Sequence, residues 1–132
     1  MLQGCGAMPQ PPARDLAERT FTFACDVVKY CRELSKEPGV VRHIAWQLSD
    51  AATSAAANYQ EAKAAYSRKE FAAKNSVSLK ELRESDLWLR VILKCEIGSR
   101  ETPVRLQMES NELVAIFTAS MRRLRPIAEV RS

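Results

Sequence analysis

His43 is the only histidine in the chain, and no G-x-S-x-G frame or its equivalent supplies a nucleophile for it to serve. A lone imidazole near a helix start reads as a surface residue. Cys5, Cys25, Cys31 and Cys95 contain no C-x-x-C pair, so a zinc site is not expected. The four thiols read as reduced, in a cytoplasmic protein, because a helical chain of this length does not need disulfides. The repeated Glu-x-x-His of di-iron bundles is missing. No glycine-rich loop is present to cradle a phosphate; the helix joins offer only Pro38-Gly39 and Gly98. Glu81 and Glu84 are an ordinary pair on a helix face, without a pocket to make them an acid and a base. No catalytic residue, cofactor or metal is expected, and the chain reads as a non-enzyme.

The basic residues are the stronger lead. Lys63, Arg68, Lys69 and Lys74 cluster around a short connection, and Arg122, Arg123 and Arg125 close the last helix. The C-terminal group has two readings. It complements a helix macrodipole, worth about 0.3–1 kcal/mol, or it binds phosphate. Antiparallel packing would gather all seven at one end of a rod. The overall surplus is modest: 20 Lys+Arg against 16 Asp+Glu, or +4. That permits a polyanionic partner without requiring one.

Four amphipathic segments must position these charges. In the first, from about Arg14 to Lys36, Leu16, Thr20, Phe23, Val27, Tyr30 and Leu34 recur at 4-3-4-3-4 spacing, one face of a helix. Phe21, Ala24, Val28 and Cys31 add a second ridge, and Asp15→Arg19 and Lys29→Glu33 stand as i,i+4 ion pairs. Glu37-Pro38-Gly39 ends it. The second segment, from about Val40 to Ala64, buries Val41, Ile44, Leu48, Ala51, Ala55 and Ala62. Its many alanines favour helix and let a neighbour approach closely. Asp50, Ser54, Asn58 and Glu61 flank that face, either as a solvated ridge or as a hydrogen-bonded layer between helices or subunits.

Ser67-Arg68-Lys69-Glu70 is a capping box that starts the third helix, with the glutamate reaching back to the Ser67 N–H. That helix runs to Ile97 and stops at Gly98. Its apolar positions are Phe71, Val77, Leu79, Leu82, Leu89 and Ile92, with Trp88 on an adjoining ridge. A turn centred near Tyr66 sets Asn58 level with Lys74 and Asn75, and Ser54 level with Ser78. Asn58 is therefore expected to be hydrogen-bonded and to face the third helix or another subunit. Thr102-Pro103 reads as N-cap and N1 of the fourth helix, which runs to about Arg125, stops at Pro126, and turns Leu106, Leu113, Ile116, Phe117, Ser120 and Leu124 inward.

The expected architecture is all-α, an antiparallel up-down-up-down four-helix bundle over residues 14–126, with a disordered leader at 1–13 and a tail at 127–132. Leu2-Gln3-Gly4-Cys5 has the look of a lipoprotein cleavage site but lacks the charged and apolar regions that must precede it. Translation starting at Met8 is equally compatible with the leader. No run approaches the roughly 18–20 apolar residues of a membrane span.

Three stretches in series resemble one family: residues 47–62, Ser67-Arg68-Lys69-Glu70-Phe71, and residues 79–89. They are similar to the four-helix-bundle proteins encoded in intervening sequences of bacterial 23S rRNA genes. Ser54, Asn58, Glu61, Ser67, Glu70, Phe71, Leu79 and Glu81 match the family pattern. Asp50 stands where a basic residue is frequent, and Ala62 where many members have glycine. The resemblance implies a ring-shaped homopentamer without assigned enzymatic activity. A related branch, the accessory proteins of diversity-generating retroelements, binds nucleic acid and a reverse transcriptase. By that analogy the expected partners are RNA or a ribonucleoprotein, and a reverse transcriptase. The alternative is a structural or protein-interaction module without nucleic-acid contact.

The second apolar ridges bear on assembly. Phe21, Val28 and Trp88 are expected at an oligomer interface, because these ridges exceed what one bundle interior holds. The other reading is that they cover the flanks of neighbouring helices. Light scattering separates the two. A ring gives about five times the 14.8 kDa protomer mass, and a charge introduced at Trp88, as in Trp88→Glu, then yields monomers. A mass matching one protomer across micromolar concentrations refutes the ring.

Overall fold

The computed structural model describes residues 12–131, and side chains over residues 16–124. Four helices follow one another: α1 Pro12–Leu34, α2 Val40–Lys63, α3 Arg68–Lys94 and α4 Glu101–Arg131. They pack in chain order, α1 on α2, α2 on α3, α3 on α4, and α4 back on α1. The α2–α3 pair is the most extensive and the α4–α1 pair the least. This is the expected four-helix bundle. Most of the expected leader and the side chains of the expected tail lie outside the described residues.

The helix ends follow local chemistry, with four departures from expectation. Helix α1 begins at Pro12, where a missing N–H costs nothing. Gly39 caps α2 at φ 84, ψ −137, a conformation open to glycine. The Ser67 Oγ accepts the Glu70 N–H at 3.0 Å, as the capping box requires. The Glu70 carboxylate, however, reaches the N–H of Tyr66, at 2.9 Å, and not that of Ser67. Helix α3 ends at Lys94, four residues before Gly98, in a Schellman arrangement. The Ile97 N–H bonds the Ile92 carbonyl at 3.0 Å and the Glu96 N–H bonds the Leu93 carbonyl at 3.2 Å. Glu96 thus holds the left-handed position at φ 55. Helix α4 begins ahead of Thr102-Pro103, with the Val104 N–H on the Arg100 carbonyl at 3.0 Å. Pro103 still falls among the first residues, whose N–H groups have no intrahelical partner. At its far end α4 passes Pro126 to Arg131. A proline removes one i→i−4 bond, and the residues beyond it resume their own.

The core is built by Phe23 and Val27 of α1, Leu48 of α2, Leu82, Leu89 and Ile92 of α3, and Leu106, Leu113 and Phe117 of α4. Tyr59 and Phe117 meet edge to face across the bundle, with ring centroids 5.3 Å apart. Small residues complete the seam between α2 and α3. Ala51, Ala55 and Ala62 are buried along one stripe of α2, and the Ala55 carbonyl accepts the Ser78 hydroxyl at 2.8 Å. That places Ser78 within one residue of its expected level. The ridge residue Asn58 bonds elsewhere than expected: its Nδ2 donates to the carbonyl and hydroxyl of Ser54, at 2.9 and 3.2 Å, within its own helix. Val77 is exposed, since a step of two residues from Leu79 turns it about 200° around the helix.

Charges close the least extensive seam. Arg19, expected to pair with Asp15, crosses to α4. Its Nε and Nη2 donate to the two Glu109 oxygens at 3.1 and 2.8 Å, and Nη2 also reaches Glu112. The Glu109 hydrogen bond, against some loss of solvation, raises the Arg19 guanidinium further above its ordinary value. Arg105 and Asp26 stand 3.4 Å apart across the same seam. Glu33 pairs with Lys36, at 2.9 Å, and not with Lys29.

Two expectations follow. Glu96→Gly relieves a left-handed side chain that makes no recorded hydrogen bond. It should stabilise the protein by about 1 kcal/mol, read as a higher urea midpoint at unchanged slope. Burial pushes the Cys31 thiol up to about 12, with the Ser49 backbone pulling the other way. At pH 8, a disulfide reagent should therefore label exposed Cys95 in the native protein and reach Cys31 only when denaturant is added. Fast native labelling of Cys31 would contradict its burial.

Candidate nucleic-acid interface

The α2–α3 connection is a knob at one end of the bundle. Helix α2 closes with the Ala64 and Ala65 N–H groups on the Glu61 and Ala62 carbonyls, each at 3.1 Å. Ser67 then turns extended, at φ −141 and ψ 160, and launches α3. Lys63 ends one helix, Arg68 and Lys69 open the next, and all three are exposed. Tyr66 sits between them, 99% exposed.

Helix α4 arrives at the same end because it runs antiparallel to α3. Two contacts fix that register. Buried Asn75 donates through Nδ2 to Met121 Sδ at 3.4 Å. Half-buried Asp86 accepts at Oδ1 from Gln107 Nε2 at 2.9 Å and from Ser110 Oγ at 2.8 Å. Arg122 and Arg123, which follow Met121, are exposed level with the second turn of α3. Arg125 continues the same helix, with its side chain outside the described residues.

The acidic groups at this end are occupied locally. Glu61 bonds Lys74 Nζ at 2.6 Å and raises the Lys74 ammonium above its ordinary value. Glu70 is held by the Tyr66 N–H. Among the described residues, no ion pair engages Lys63, Arg68, Lys69, Arg122 or Arg123. Of the expected phosphate binders with described side chains, Lys74 is the one committed to a neighbour.

The family-pattern residues build this hairpin. Ser54 receives Asn58, Glu61 holds Lys74, Ser67 caps α3, and Phe71 packs its ring against the core one turn on. The Glu81 carbonyl accepts the Ser85 hydroxyl at 2.9 Å. Tyr66 was not among the residues expected here. The signal available was its position: an aromatic in the connection, outside either helix's apolar spacing and flanked by cations.

The expected interface residues do not form one patch. Phe21 and Val28 are exposed along a groove of about 460 Å³ between α1 and α2, which Cys25 and Ala56 also line. The groove continues past Val28 to Trp46, 63% exposed and not among the expected interface residues. Trp88 belongs to α3, which does not pack on α1. It lies half-buried against the core, and its Nε1 donates to Glu84 Oε2 at 3.3 Å. His43 is exposed at the start of α2. Among the described residues, no group of three or more His, Cys, Asp and Glu side chains is placed to hold a metal ion. No described helix is long and apolar enough to cross a membrane.

Residues 14–119 match the family described as 23S rRNA-intervening sequence protein. Among solved structures, the chain is similar to a protein of unknown function from the S23 ribosomal protein family of Bacteroides thetaiotaomicron. The two share 27% identity with a TM-score of 0.72, over 80% of this chain and 96% of that one. No curated protein matches. With the matched residues running from the first turn of α1 past the middle of α4, the chain belongs to the 23S rRNA-intervening sequence protein family.

Proposed function

We propose that the protein is a non-enzymatic bundle that associates with RNA, alone or within a ribonucleoprotein, through the basic end formed by the α2–α3 connection and the close of α4. One observation carries this reading. Lys63, Arg68, Lys69, Arg122 and Arg123 converge on one end while the carboxylates there, Glu61 and Glu70, are engaged by neighbours. Phosphate attracts such a cluster through counterion release. The family's description, tied to 23S rRNA, agrees with an RNA context. Self-association would repeat the patch and turn a modest +4 protomer into a strong local field. The reading as a non-enzyme rests on the isolation of His43 and the lack of a nucleophile–base pair in the sequence.

The α1–α2 groove favours a second reading, a protein-interaction module. Phe21 and Trp46 are large apolar side chains left in solvent beside a continuous cleft, and such patches mark interaction surfaces. On this reading the basic end is solvated charge.

Binding of labelled 23S rRNA fragments across a salt series discriminates between the two. Each phosphate contact contributes a slope of about 0.7 in log affinity against log salt for a single strand. Arg122→Ala with Arg123→Ala should flatten the slope by about 1.4 and weaken binding to all RNA sequences alike. No binding at low salt ends the RNA reading and leaves the interaction module.

A further inference from the structure

We infer that the basic end recognises unpaired nucleotides, with Tyr66 as a stacking platform for a base. The inference rests on the RNA reading above and narrows it to single-stranded segments such as loops, bulges and ends.

Tyr66 is unlike the other two tyrosines. Tyr59 is buried against Phe117, and Tyr30 packs against the core. Tyr66 carries an aromatic ring wholly in solvent, although Phe71, five residues on, turns its own ring inward. Its backbone is nevertheless held. The N–H is bonded to Glu70 Oε1, and the next residue caps α3 through its hydroxyl. The ring therefore stands on a fixed base, and stacking on it costs the turn little further ordering.

The surroundings select the ligand. Lys63 lies on one side of Tyr66 in the chain and Arg68 and Lys69 on the other, with Arg122 and Arg123 brought to the same end by α4. Helix dipoles do not supply this charge. The positive start of α3 meets the negative ends of α2 and α4, so the side chains carry the attraction. An aromatic face beside cations that track a backbone is the arrangement that binds single strands without sequence preference. A duplex has no base face to offer along its length, since its bases are stacked within. The deep, narrow major groove of A-form RNA also excludes a knob of this breadth.

The test uses the full chain and two probes, a labelled 12-nucleotide RNA without self-pairing and the same sequence as a 12-base-pair duplex. Affinities are read by anisotropy over a salt series. The single strand should bind more tightly. Tyr66→Ala should weaken single-strand binding about 5- to 150-fold, the span of base–aromatic stacking, with an unchanged salt slope. Tyr66→Phe and Tyr66→Trp should restore it. Lys69→Ala should instead flatten the slope. The ring touches nothing in the fold, so circular dichroism should not distinguish the Tyr66 variants. Undiminished binding by Tyr66→Ala, or a preference for duplex, overturns the stacking role while RNA binding stands. Failure of the unmodified protein to bind either probe at low salt overturns both readings.

Discussion

The close approach of α2 to α3 is the constraint on which the rest depends. A hydroxyl of one helix can reach a backbone carbonyl of the other, as Ser78 reaches Ala55 at 2.8 Å, only where no side chain larger than alanine separates them. Ala51, Ala55 and Ala62 keep that seam thin, and Ser78 and Ser85 are buried on α3. The seam acts with the short connection at its end. Once the two helices are locked in register, Lys63, Tyr66, Arg68 and Lys69 have nowhere to go but the tip.

The remaining two helices are held by different means. Helix α4 meets α3 through buried leucines and a polar node, with the Asp86 carboxylate accepting from Gln107, Ser110 and its own helix neighbour Arg90. A half-buried carboxylate is tolerated there because every recorded contact is a donor. Helix α1 meets α2 over a broad apolar face but meets α4 sparsely, and Arg19 with Glu109 and Glu112, and Arg105 with Asp26, complete that seam. The core polar groups are otherwise satisfied. Among the described residues, one buried side-chain atom stands without a partner, the Tyr30 hydroxyl, and burial pushes that group up to about 12.

Two surfaces remain for function, and they are chemically distinct. The basic tip offers cations around a bare aromatic ring. The α1–α2 groove offers Phe21, Val28 and Trp46 along the bundle's side. The two surfaces share no residue.

Local chemistry in the sequence settled the four helices, their antiparallel order and the start of α3. Each rests on interactions spanning a few residues: apolar spacing, the Ser67–Glu70 box, the short connection after Lys63. That antiparallel order also brings the end of α4 to the start of α3. What tertiary structure decided is which of several locally equivalent choices prevailed. The second ridge of α1 reads as one stripe, yet Ala24 and Cys31 are buried while Phe21 and Val28 are not, because α2 covers only part of that arc. Arg19 had acidic candidates on its own helix and on α4, and the packing of α1 on α4 brought Glu109 nearer to hand. Asn58 turned to Ser54, one turn back on its own helix, and not to α3. Glu96 accepted a left-handed conformation that glycine would hold more easily, since Ile97 must pack against the core. A sequence records what each residue is able to do locally. The choice among those abilities belongs to the neighbours that arrive only on folding.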